Sequence, residues 1–280
     1  MFFIVENILL IEFLIFIIAI LGGTIGSLIG LGGALVITPA LVSLMGIPIH
    51  QAIGASLVAT ICTSTATSIV SLNSHGLTKE KLGLFLALAT AFGAMFGAKL
   101  ALSMPAKPLF LTFGLVLVVV LLLNLIKRKK TDKAKLSTIA EALQLNDQYI
   151  INNKTYFYNV SNPILGLIAM IGAGFIGGLL GIGAGLFKVL AMDKIMKIPF
   201  KVSSSTSNFI MGITGFTAAS AYYFSGNIDP NITLPVALGA LLGATMGSKI
   251  MPNIDTKILR VLFFIVILIA TLQMLYKGLV

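Results

Sequence analysis

Apolar runs long enough to cross a bilayer alternate with short polar breaks along most of the chain. Ile8 to Leu31 is the first, with Glu6 and Glu12 at its wet end, and it suits roughly 30 Å of hydrocarbon. After Gly32-Gly33 comes Leu35 to Met45, too short to span, which predicts a half-helix or re-entrant segment. Pro39 is expected early enough in it for the missing N–H to cost little. A Ser/Thr-rich helix follows over Ala52 to Leu72, ending in the polar turn Asn73-Ser74-His75-Gly76. Leu82 to Met104 and Leu109 to Ile126 read as spans joined by a turn holding Pro105 and Pro108. Lys127 to Asn162 is the one long polar stretch. It opens on KRKK, predicts a short helix capped by Ser137 or Thr138, and predicts a hairpin turning at Asn152-Asn153. The earlier order then recurs: Ile164 to Ile182, the short Leu186 to Met196, the Ser/Thr-rich Ser203 to Phe224, Leu234 to Met251 and Ile258 to Tyr276.

That recurrence extends to single residues. A shift of 151 positions lays Gly26, Gly30, Gly32, Leu35, Ile47 and Pro48 on Gly177, Gly181, Gly183, Leu186, Ile198 and Pro199. Further on, GAMFGAK (Gly93 to Lys99) matches GATMGSK (Gly243 to Lys249) at 150. Ordered matches of this kind indicate a duplication. The expected architecture is an all-α polytopic membrane protein of two inverted repeats, each a Gly-broken re-entrant or hairpin helix plus about three spans. Residues 1–126 form the first repeat, 127–162 a cytoplasmic linker and 163–280 the second.

Composition narrows the class. Of 280 residues 58% are hydrophobic and 10% charged, more apolar surface than a water-soluble domain of this size hides. The net charge of +10 lies in loops and helix ends, as the positive-inside rule requires, so nucleic acid is not the expected partner. With KRKK cytoplasmic and the halves inverted, Lys194, Lys197, Lys201, Lys249, Lys257 and Arg260 fall inside, and His50, Lys99, Lys107 and Lys277 outside. Nine acidic residues are too few for a cation pathway of carboxylates. No basic segment precedes the first apolar run, so no cleaved signal peptide is expected. The one cysteine, Cys62, excludes an intrachain disulfide and reads as a small buried filler. No metal-ligand cluster, catalytic triad or cofactor motif is found, so the chain is expected to be neither an enzyme nor a cofactor carrier.

The candidate chemistry sits at the glycine breaks. Glycines four apart let helices pack closely. A break also frees backbone N–H groups at the positive end of a half-helix, which suits an anion. Gly32, Gly33, Gly183, Ala184 and Gly185 are the backbone candidates on that reading. Ser56, Thr60, Ser204, Ser207 and Asn208 add polar side chains that donate to an oxyanion without a buried charge. The alternative for these hydroxyls is back-bonding to helix carbonyls or bonding between helices. Lys188, on the short segment, balances an anion or marks the cytoplasmic helix end. Lys99 and Lys249 are expected to reach from helix ends to the interface.

The run GGTIGSLIGLGGALVITPALVSLMGIPIHQAIGASLVAT and its second copy GGLLGIGAGLFKVLAMDKIMKIPFKVSSSTSNF resemble the TauE/SafE sulfite exporter family, over nearly all of the chain but the linker. The resemblance implies an inner-membrane carrier of small sulfur-containing anions such as sulfite, thiosulfate or sulfoacetate, mostly exporters. The second copy departs in Ala184 and Gly185 against Gly33 and Ala34, and in Lys188 against Ile37. The expected function is a secondary transporter working by alternating access. An anion channel and a non-transporting membrane scaffold are the rivals. The lipid bilayer is a partner throughout, and proton coupling and a homo-oligomer are both compatible with the sequence.

Overall fold

The computed structural model describes residues 2–74, 77–125, 137–151 and 154–279. Five helices precede the linker: α1 (Phe2–Ile29), α2 (Ala34–Met45), α3 (Ile49–Ser74), α4 (Glu80–Ser103) and α5 (Ala106–Leu125). The linker contributes α6 (Thr138–Ala142) and the antiparallel pair β1 (Asp147–Ile151) and β2 (Lys154–Tyr158). Five more follow: α7 (Pro163–Leu180), α8 (Gly185–Leu190), α9 (Phe200–Phe224), α10 (Pro230–Ile250) and α11 (Thr256–Leu279). Among the described residues six helices are long and apolar enough to cross a membrane. The chain is an all-α polytopic membrane protein.

Most boundaries fall where the apolar pattern puts them, and Ser137 caps α6 by accepting from the Ala140 N–H. The hairpin forms, although its turn at Asn152-Asn153 lies outside the described residues, as do His75-Gly76 and the KRKK run. Three expectations need correction. Pro39 is the sixth residue of α2. It lies beyond the first turn, where N–H groups are free in any case, and so removes an internal ladder bond. The second short segment is not one α-helix, because α8 continues as a π-helical turn, Ala191–Ile195. Cys62 is only partly buried.

Helices before the linker pack mainly on helices after it. α1 lies along α10 and α4 along α7, through glycines that bring backbones together. A Cβ built on Gly243 would lie 2.1 Å from the Ile20 carbonyl oxygen, and one on Gly93 would lie 2.1 Å from that of Ile171. α3 and α9 cross antiparallel at the centre, where Thr60 and Ser64 on one meet Met211, Asn208 and Phe209 on the other. α2 and α8 are too short to span, at about 18 and 9 Å by helical rise. Each doubles back along the preceding long helix: Gly22 faces Ile37, and Gly177 faces Ala184.

Two ionic contacts tie the ends. Lys79, between α3 and α4, pairs with Asp147 at 3.1 Å and donates to the Gln148 carbonyl at 2.5 Å, so the linker packs on this end of the bundle. Asp193, 1% exposed on the π-turn, receives both Arg260 guanidinium nitrogens at 3.2 Å, and Arg260 also stacks 4.6 Å over Phe200. Arg260→Met removes the bidentate partner of a buried carboxylate. It should lower stability by on the order of 3 kcal/mol or less, since Arg260 is itself partly exposed. A thermal melt of the solubilised protein reads the loss; an unchanged midpoint would assign the pair no stabilising part.

Candidate functional site

Each Gly-rich break is a tight tip between a long helix and a short one. At the first, Gly30, Gly32 and Gly33 have φ of 77°, 73° and 77°; at the second, Gly181, Gly183 and Ala184 have 69°, 63° and 61°. This left-handed backbone is open to glycine and costs an L-residue roughly 1–2 kcal/mol, a strain that Ala184 carries. Neither short helix has a side-chain cap: Gly33 precedes α2 and Ala184 precedes α8, each without a side-chain hydrogen bond.

The two tips touch. A Cβ on Gly185 would lie 2.5 Å from the Gly30 carbonyl oxygen and 3.0 Å from the Leu31 Cα. Gly32 and Gly183 face the same two side chains, the Thr60 methyl (3.1 and 2.6 Å from built Cβ atoms) and Met211 (2.9 and 3.6 Å to Sδ). Two half-helix starts therefore converge between α3 and α9 in a region where every tip residue is buried.

The hydroxyls divide into two sets. Thr60, Thr63, Thr65 and Thr67 on α3 each donate to a carbonyl three or four residues back, the back-bonding role common in membrane helices. Thr63 also reaches the Gly32 carbonyl at 3.0 Å, and Thr60 does so at 3.5 Å. Ser207 lies within 3.2 Å of the Gly30 carbonyl and 3.1 Å of the Gly185 carbonyl, bridging both tips. Asn208 donates through Nδ2 to the Ser27 carbonyl at 3.1 Å. Ser56 Oγ, Ser204 Oγ and Asn208 Oδ1 are buried without a hydrogen-bond partner. Ser204 backs onto Gly30, with 2.7 Å from Oγ to a Cβ built there. Ser56 is one turn before Thr60, on the same helix. Unpartnered buried polar atoms are costly. All three lie on α3 or α9, the two helices that enclose the tips.

Lys188 is fully buried on α8. Its Nζ donates to the Gly183 carbonyl at 2.9 Å and to Thr214 Oγ1 at 2.7 Å, and Thr214 in turn meets Thr90 at 3.1 Å. Both partners of Nζ are neutral. Asp193 lies on another face of its element and binds Arg260. Lys99 and Lys249 are exposed at the ends of α4 and α10, away from the tips. His50 is in the first turn of α3, with Nε2 3.3 Å from the Ala101 carbonyl oxygen.

All eleven residues singled out from the sequence are buried, and all but Ser56 lie at or beside the joined tips: Gly32, Gly33, Thr60, Gly183, Ala184, Gly185, Lys188, Ser204, Ser207 and Asn208, with Ser56 one turn from Thr60 on α3. Four more belong with them and were not in that set: Thr63, Thr90, Met211 and Thr214. The shift of 151 that aligned the glycines carries Thr60 onto Met211 and Thr63 onto Thr214, so this signal was present for two of them. Among the described residues no group of three or more metal-ligating side chains comes together.

Comparison with known proteins agrees in class. A family model described as sulfite exporter TauE/SafE matches residues 15–274. A Bacillus subtilis protein named "Probable membrane transporter protein YunE" is 28% identical over 274 residues, covering 94% of this chain and 96% of its own. A second from that organism, "Probable membrane transporter protein YdhB", is 28% identical over 269 residues, covering 94% and 100%. A Sinorhizobium relative, "Probable membrane transporter protein ORF9", is 26% identical over 262 residues, covering 93% and 91%. No solved structure matches.

Proposed function

The chain belongs to the TauE/SafE sulfite exporter family and is a multi-pass membrane transporter, not an enzyme, and from that premise we propose that it exports small sulfur-containing anions bound between the two glycine tips. The observation that carries the reading is Lys188, a fully buried lysine at the tip junction whose Nζ has only neutral partners. An anion beside it would supply the missing charge. Backbone N–H groups of the uncapped half-helix starts, with the unpartnered Ser56 and Ser204 hydroxyls, would bond its oxygens. Sulfite, thiosulfate and sulfoacetate are the anions suggested by the family.

The proposed architecture is two inverted repeats, residues 1–126 and 163–280, joined by a cytoplasmic linker, 127–162. Support comes from the reciprocal packing of α1 on α10 and α7 on α4, and from the antiparallel central crossing of α3 and α9. Movement of one repeat against the other around the tips would then alternate access. The burial of every tip residue favours this carrier over an open channel. The bacterial inner membrane is the proposed location.

Uptake of labelled sulfite into proteoliposomes tests the function, with thiosulfate, sulfoacetate and taurine as competitors. Saturable flux is expected. Well-inserted protein that moves none of these anions sinks the reading. Lys188→Met is expected to weaken anion affinity by about tenfold or more, the loss of one charge-assisted contact, and to flatten its salt dependence. Unchanged affinity would leave Lys188 as a staple for the Gly183 carbonyl.

A further inference from the structure

The two tips are alike in backbone but unlike in charge. At the second, Lys188 bridges the Gly183 carbonyl and Thr214. At the first, Thr63, the counterpart of Thr214, donates to the Gly32 carbonyl itself at 3.0 Å. The position matching Lys188 is Ile37, fully buried and packed toward Gly22. Among the described residues no ion pair joins Lys188 to a carboxylate. Hydroxyls continue the network on its far side, from Thr214 to Thr90. The junction therefore holds one lysine amine, several hydroxyls and one unpartnered amide oxygen, Asn208 Oδ1.

A protonated Lys188 beside one bound negative charge makes a neutral buried pair. A second negative charge would enter a desolvated region without a partner, which is strongly unfavourable. Serine and threonine hydroxyls stabilise oxyanion oxygens but do not neutralise them.

We propose that Lys188, set against Ile37 at the matching position, makes the site selective for singly charged oxyanions. This rests on the anion site proposed above and sharpens its substrate class. Hydrogen sulfite and monosulfonates are favoured, and fully ionised sulfate, thiosulfate and sulfoacetate are disfavoured. Discrimination is by charge rather than by size, since the same hydroxyls and backbone groups serve both kinds of anion. Lys188 is then the specificity-determining residue, and a lysine at position 37 would add a second cation beside the first tip.

Binding to the purified full-length protein, by calorimetry at constant ionic strength, tests this. Methanesulfonate and 2-hydroxyethanesulfonate represent monoanions, and sulfate, thiosulfate and sulfoacetate dianions, at a pH where all are fully ionised. The native protein is expected to bind the monoanions at least tenfold more tightly. Lys188→Met should abolish that preference, and Ile37→Lys should shift it toward dianions by tenfold or more. Dianions binding as tightly as monoanions to the native protein would overturn the proposal while leaving the anion site standing. A preference that survives Lys188→Met would also overturn it. Binding of neither class removes the anion site and this proposal together. If Ile37→Lys fails to fold, the ratio in Lys188→Met decides alone.

Discussion

Gly183→Leu is expected to reduce anion flux to less than about a tenth of the native rate while the protein still inserts and remains monodisperse. Two costs coincide at this position. Its φ of 63° lies where an L-side chain is strained by roughly 1–2 kcal/mol. Its built Cβ would stand 2.6 Å from the Thr60 methyl, so the first added atom already displaces a side chain in the tip junction. The remaining atoms of leucine would enter the space between Thr60 and Met211, where both tips converge. A displacement of one tip that costs about 1.4 kcal/mol in the transport cycle corresponds to a tenfold slower step.

A graded series separates obstruction from unfolding. Gly183→Ala adds one carbon, and the neighbouring Ala184 already holds φ 61°, so partial flux should persist. Gly32→Leu should be milder than Gly183→Leu, because its nearest neighbours are the thioether end of Met211 at 2.9 Å and the Thr60 methyl at 3.1 Å. Flux in proteoliposomes, normalised to inserted protein, gives the order. Native flux in Gly183→Leu would remove the tips from the transport path.

Gly30, Gly32, Gly181 and Gly183 announced themselves in the sequence because backbone demands at a tip recur at the same spacing in both halves. The short segments were visible for a related reason, since a run of about eleven apolar residues cannot cross the bilayer. Partner choice was not legible. Nothing in the local pattern of α1 says that Gly23 faces the Ala240 carbonyl on α10, because helix pairing is a long-range choice made by shape. The π-helical turn at Ala191–Ile195 escaped for a similar reason. It aligns with Asp193 meeting Arg260, 67 residues away. Ser and Thr positions were the most ambiguous. Thr65 and Thr67 only back-bond, whereas Thr63 reaches a tip, and composition cannot distinguish these roles.

The glycines outside the tips predict a different failure, of stability rather than of flux. Gly97→Ala should destabilise the protein far more than its single methyl suggests. The built Cβ would lie 1.9 Å from the Phe175 carbonyl oxygen and 2.8 Å from the Leu179 nitrogen, both backbone atoms of α7. Neither can rotate aside, so α4 and α7 must separate along their length. Overpacking of this kind costs roughly 1–3 kcal/mol, and loss of the close backbone contact adds to it. The matching Gly247→Ala should cost less. Its closest neighbour is the Ser27 hydroxyl at 2.1 Å, a side chain that can change rotamer, although the Thr24 carbonyl stands behind it at 2.5 Å. Gly172→Ala provides the control: its built Cβ meets nothing within 4 Å, and helix propensity alone favours alanine by up to about 1 kcal/mol. Thermal melts of the three variants in one detergent should therefore rank Gly172→Ala highest, Gly247→Ala next and Gly97→Ala lowest. A Gly97→Ala midpoint equal to that of Gly172→Ala would mean that α4 and α7 do not approach this closely in the folded protein.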